Sequence, residues 1–242
     1  VTMLIDHIGA AVLARLLMVN GLGELDQTNT DAIMQWLSAN GALYWMYTVM
    51  RMIGRVAFPI FCFLLVEGFL HTHDVKKYAV RLGLFALISE IPFDLAFSSK
   101  ILEFNYQNVF FTLFIGLLTM IAYRAVEEKE EWNQALKVIL YILIVAAGMA
   151  LAYFLKTDYA EKGVFCIMVL YIFRKKKMWQ LIAGCASFIW ETPALFGFIP
   201  IAFYNGTRGW KMKYFFYIFY PAHLLILYLL CYFMRINGYS AV

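Results

Sequence analysis

The side chains best suited to chemistry in this sequence lie inside its most apolar stretches. Asp6-His7 interrupts the first, Arg51-Met52-Ile53-Gly54-Arg55 the second, and Glu90 and Asp94, either side of Pro92, the third. Histidine is the side chain best matched to taking and returning a proton near neutrality. Carboxylates can tune such a base, and guanidinium groups suit an oxyanion that develops in acyl transfer. Arg51 and Arg55 are four residues apart and share a helix face, as do Glu90 and Asp94. At about 1.5 Å per residue, Arg51 and Glu90 lie about 14 Å and about 12 Å from the outer ends of consecutive antiparallel helices. Two cations are therefore expected to face two anions, Arg51 with Glu90 and Arg55 with Asp94. Such a network can also serve only to lock two helices together, although apolar packing would do that at less cost. Adjacent residues on a helix diverge by about 100°, so Asp6 is not expected to orient His7. Asp6 can instead pair with one of the arginines while His7 points into the same cavity.

Further polar groups fall at helix ends. Glu67, His71, Thr72, His73 and Asp74 close the second run, and Asn108 and Thr112 open the fourth. Two histidines and one Asp make a weak metal signal, and no metal is expected. Glu191 precedes Pro193 at a helix break, where freed backbone groups can bind a ligand. Tyr204-Asn205-Gly206-Thr207-Arg208-Gly209 is a Gly-flanked basic turn. Asn205, Arg208 and Lys211 there can meet phosphate, although an ordinary basic loop has the same composition. His223, in Tyr220-Pro221-Ala222-His223, and His71 remain alternatives to His7 as the base.

These residues need elements to hold them, and composition says which. Of 242 residues 63% are hydrophobic and 15% charged, against about 45–50% and about 25% in soluble domains. A cytosolic enzyme, a secreted disulfide scaffold and a nucleic-acid binder are excluded. Cys62, Cys166, Cys185 and Cys231 lie in apolar runs without C-x-x-C spacing, as inert buried thiols do. One all-α membrane domain over residues 1–242 is expected, a polytopic helix bundle in the lipid bilayer. Apolar runs place spans at 1–19, 42–70, 78–97, 108–124, 136–155, 162–173 and 214–234. Because the chain is apolar from Val1, part of the first span is expected upstream.

The stretch 178–204 reads as a short broken hairpin, for a total of eight or nine transmembrane helices. That choice puts the basic clusters Lys76/Lys77/Arg81, Arg124/Lys129/Lys137, Arg174 to Lys177 and Arg208/Lys211/Lys213 all on the cytoplasmic side. The loop from Asn20 to Gly41, acidic and free of Lys and Arg, lies outside.

Several blocks carry a family resemblance. Asp6-His7-Ile8-Gly9, Arg51-x-x-Gly54-Arg55-x-Ala57-Phe58-Pro59, Glu67-Gly68-Phe69-x-His71-Thr72 and Ser89-Glu90-Ile91-Pro92-Phe93-Asp94 resemble the TraX family. So do Asn108-Val109-Phe110-Phe111-Thr112, Tyr204-Asn205-Gly206 and Tyr220-Pro221-Ala222-His223. The resemblance implies a bacterial inner-membrane, multi-pass protein that acetylates the N-terminal amine of a pilin-like peptide with acetyl-CoA as co-substrate. It is also remotely similar to transmembrane acyltransferases with a first-span histidine.

The expected function is therefore a membrane-embedded acetyltransferase acting on an amine or other acceptor. His7, Asp6, Arg51, Arg55, Glu90 and Asp94 form the expected catalytic set. Asn205, Arg208 and Lys211 are placed on acyl-CoA, and Glu67, His71, Asn108, Thr112, Glu191 and His223 on the acceptor. The same buried ions would also suit a small proton-coupled transporter, and a non-catalytic assembly factor for surface structures is the third reading.

Overall fold

A computed structural model describes residues 1–26, 28–207 and 213–239. The described residues are mostly helical and have no strand, only an isolated bridge between Gln107 and Thr157. The helices are α1 (Thr2–Val19), α2 (Thr30–Arg55), α3 (Ala57–His71), α4 (Val75–Ser98), α5 (Val109–Glu127), α6 (Gln134–Phe154), α7 (Ala160–Ile172), α8 (Lys177–Ser187), α9 (Phe198–Ala202) and α10 (Lys213–Phe233). Every expected span coincides with helix.

Four stretches among the described residues are long and apolar enough to cross a membrane: Thr2–Val19, Thr30–His71, Val109–Glu127 and Gln134–Phe154. In α6 only 11% of the apolar window is buried by protein. Leu136, Ile139, Ile142 and Leu143 stand exposed on it, an apolar surface of the kind that membrane helices turn to lipid. The fold is an all-helical membrane fold.

Local sequence explains where helices start and stop. The loop expected from Asn20 to Gly41 is a correction, because α2 begins at Thr30. Asn29 caps it by accepting the Ala32 N–H at 3.1 Å, and Asp31 in the first turn suits the positive end of the helix dipole. Pro59 has no N–H for the Arg55 carbonyl four residues back, and the helix is interrupted at Val56. The broken hairpin expected at 178–204 is α8, a 3-10 turn over Thr192–Gly197 and α9.

The chain forms two compact units. The first comprises Val1–Ala57, Ile91–Glu103 and Lys211–Val242, and the second Phe58–Glu90 and Phe104–Trp210. Two boundaries fall beside Pro59 and Pro92, where the helical hydrogen-bond ladder is already broken. In the first unit α1 packs against α2 and α10. In the second, α5, α6 and α7 pack on one another and α8 on α7. Gly148 of α6 lies so close to Thr119 of α5 that a Cβ there would meet the Thr119 hydroxyl, the small-residue contact that lets membrane helices approach.

Candidate functional site

The first unit gathers the ionisable residues of α1. Between His7 and Ala14 the helix widens into a π-helical segment, Ile8–Leu13, a departure frequent at functional sites. Asp6 and His7 leave α1 toward different helices, as their 100° divergence requires. Asp6 Oδ1 accepts from an Arg51 N–H of α2 at 2.8 Å, and both side chains are largely buried. Gly54 makes this possible, because a Cβ at that position would overlap the Asp6 side chain. The Arg-x-x-Gly-Arg spacing thus has a steric reason, which is room for the carboxylate beside its arginine. Arg51, expected to face Glu90, makes its ion pair with Asp6. Arg55, the last residue of α2, is half-buried.

His7 turns toward α10. Its Nδ1 lies 2.6 Å from Nε2 of His223, and the two rings are nearly parallel, 6° apart. Phe97 and Tyr220 meet the His7 ring edge-on at 5.6 and 5.7 Å and fix its plane. His223 Nδ1 is 2.6 Å from the Phe219 carbonyl one turn earlier. Both histidines are buried, at 9% and 5% exposure. No described residue hydrogen-bonds His7 Nε2. The arrangement can take a proton at one end and pass electron density along two imidazoles.

Asp94 of α4 also lies in this unit, three residues before Phe97. It is buried, and its Oδ2 accepts the Glu103 N–H at 2.8 Å, which pins the segment after α4. Arg15 went unremarked in the sequence, although an arginine in an apolar run is itself a signal. It is fully buried and has no carboxylate partner among the described residues. Instead it donates to the carbonyls of Tyr239 (2.9 Å), Ala11 (2.8 Å) and Ala96 and to the Ser99 hydroxyl (3.0 Å). Ser99 in turn donates to the Asn237 carbonyl at 2.7 Å. Arg15 therefore ties α1 to the end of α4 and to the chain after α10.

Of the remaining candidates, Glu67, His71, Glu90, Asn108, Thr112, Glu191 and Asn205 belong to the second unit. Glu90 accepts from the Asn108 backbone and side chain, and Asn108 also donates to the Ala86 carbonyl at 2.9 Å. The Asn108 side-chain oxygen, Oδ1, caps α5 by accepting the Phe110 N–H. Thr112 bonds Thr157 at 3.0 Å and the Asp158 carbonyl. His71 bonds the Glu67 carbonyl at 2.9 Å and lies 3.8 Å from the Glu67 carboxylate. Glu191 leads the 3-10 turn. Asn205 closes a turn on Thr207, with Gly206 at φ 77°. Arg208 and Lys211 lie outside the described residues.

Thr157, Tyr159 and Ala160 also line an open cavity of about 420 Å³, with Tyr106, Lys162 and Trp190. Its rim holds Lys156, Tyr159 and Ala160 at positive φ. No signal in the sequence marked these residues as a group.

An all-helical membrane protein with a histidine pair and an Asp–Arg pair buried beside its first helix is the class that fold and site define. The TraX protein family matches residues 1–231, and the chain belongs to the TraX family. It is 29% identical to a probable fimbrial assembly protein, FimC of serogroup H1, from Dichelobacter nodosus, over 76% of this chain and 83% of that one. No solved structure matches the chain.

Proposed function

We propose that the chain is a membrane-embedded acetyltransferase that moves an acetyl group from acetyl-CoA to an amine, such as the N-terminus of a pilin-like peptide. The observation that carries this reading is His7, buried and held through Nδ1 while no described residue occupies its Nε2. The acceptor enters as a neutral amine and attacks the thioester carbonyl. The C–N bond forms, His7 takes the amine proton, the C–S bond breaks, and His7 returns the proton to the CoA thiolate. Arg51 has five N–H donors and gives one to Asp6, so donors remain for the transient oxyanion. The basic loops support a CoA side in the cytoplasm of a bacterial inner membrane, with Asn205, Arg208 and Lys211 as its expected phosphate contacts.

General-base help is worth about 10²–10⁴-fold. Detergent-purified protein, acetyl-CoA and an amine-bearing peptide should release free CoA thiol, and His7→Ala should slow release by that order while the protein stays folded. Equal rates for His7→Ala and wild type would remove His7 from the role. A second reading, a non-catalytic assembly factor, is favoured by the name of the Dichelobacter nodosus relative. It predicts no acetyl-CoA turnover with any amine acceptor.

A further inference from the structure

We infer that His223 is a positioning residue for His7, and that Nε2 is the His7 nitrogen that takes the proton. This rests on the acyl-transfer reading above. The argument is one of hydrogen counting. The Phe219 oxygen can only accept, so the hydrogen in its 2.6 Å contact with His223 sits on His223 Nδ1. A neutral imidazole protonated there has a bare Nε2. That bare nitrogen lies 2.6 Å from His7 Nδ1, so His7 must supply the hydrogen of the second contact. His7 is thereby held with its hydrogen on Nδ1 and its lone pair on Nε2, the nitrogen no described residue occupies.

The carbonyl of Phe219 thus sets the tautomer of His7 through an intervening ring. The geometry around the pair supports a fixed arrangement. The edge contacts of Phe97 and Tyr220 hold the plane of the His7 ring. His223 is itself stacked on Phe219, with ring centroids 4.8 Å apart. Asp6, the neighbouring carboxylate, is engaged by Arg51. During transfer the amine proton goes to His7 Nε2. His7 then carries both hydrogens, and the imidazolium charge is shared across the contact with the His223 lone pair. When Nε2 gives its proton to the leaving thiolate, the pair returns to its starting state, so His223 gains and loses nothing over the cycle.

The test uses the full chain in detergent, labelled with ¹⁵N-histidine. Only four histidines are present, so His71→Gln and His73→Gln variants isolate the signals of His7 and His223, and His7→Gln tells those two apart. Imidazole nitrogens with and without hydrogen are well separated in ¹⁵N shift. The expected result is a His7 with a protonated Nδ1 and a bare Nε2. His223→Gln, whose side-chain oxygen can still accept from Nδ1, should keep that tautomer and most of the turnover. His223→Leu should let His7 shift its hydrogen to Nε2. Its kcat should then fall on the order of 10–100-fold with KM little changed.

A wild-type His7 protonated on Nε2 overturns the inference, and this holds even if the His223 variants do not fold. So does a folded His223→Leu protein that turns over at the wild-type rate, which leaves the acetyltransferase reading intact. Wild-type protein that transfers no acetyl group to an amine overturns the acetyltransferase reading and the catalytic role of His223 with it, while the ¹⁵N shifts still decide the tautomer.

Discussion

His7 and His223, separated by 216 positions, share a 2.6 Å contact between Nδ1 and Nε2 in which one ring donates and the other accepts. That relationship joins the first helix to the last and makes the site of the first unit a product of both chain ends.

The close approach of α1 to α2 depends on Gly54, because any Cβ there overlaps Asp6. Gly54→Ala should destabilise the protein by about 1–3 kcal/mol, the usual cost of overpacking, and Gly54→Leu by more. Thermal unfolding in detergent measures both. An unchanged midpoint for Gly54→Leu would mean that α1 and α2 are not held this closely.

Asp6 and Arg51 form a largely buried pair. Removing one partner leaves a buried charge and typically costs about 3–5 kcal/mol. Asp6→Asn and Arg51→Met should therefore each lower stability, and the double variant should be more stable than the two single losses add up to. A double-mutant cycle reads the coupling directly; strictly additive losses would show that the pair is not coupled.

Arg15→Met removes a donor from the carbonyls of Tyr239, Ala11 and Ala96 and from the Ser99 hydroxyl, with only the Cys231 thiol still on the Ala11 carbonyl. Each unsatisfied buried acceptor costs about 1–3 kcal/mol, so this should be among the most damaging substitutions in α1. Arg15→Lys, with a shorter reach and three donors, should recover only part of the loss. Proteolysis of the C-terminal segment is the sensitive measurement, because Arg15 and Ser99 are what tie Tyr239 and Asn237 down.

Asn108→Ala removes the cap of α5 and the amide that Glu90 accepts. A lost cap costs about 0.5–2 kcal/mol, and Glu90, which keeps the backbone N–H at position 108, loses one of its donors. The expected outcome is a lower unfolding midpoint, with acetyl-CoA turnover per folded molecule close to wild type. A loss of turnover without a loss of stability would instead place Asn108 on substrate.

Much of the fold was legible because it is local. Apolar runs of span length become helices once lipid replaces water, and the stops are written in Pro59, Asn108 and the Glu191-Thr192-Pro193 break. The start of α2 was misread because an acidic, polar segment looks like loop until the Asn29 cap is recognised. The candidate list was legible for a related reason, since ionisable groups in apolar surroundings stand out. Arg15 escaped because its partners are backbone carbonyls, which leave no trace in a sequence.

From residue types alone, then, this chain is a helical membrane protein of the TraX type with a costly polar cluster in its first helix. Which groups meet is a different matter. Spacing suggested Arg51 opposite Glu90, offered Asp6 one of the two arginines without saying which, and left His223 among the acceptor contacts, whereas the fold pairs Arg51 with Asp6 and His223 with His7. Period and hydropathy say that a residue is on a helix and at what depth. They do not say how far each helix is turned about its axis. Here the π-helical segment after His7 and the missing side chain at Gly54 set that rotation and approach, and with them the partners of every buried charge on α1.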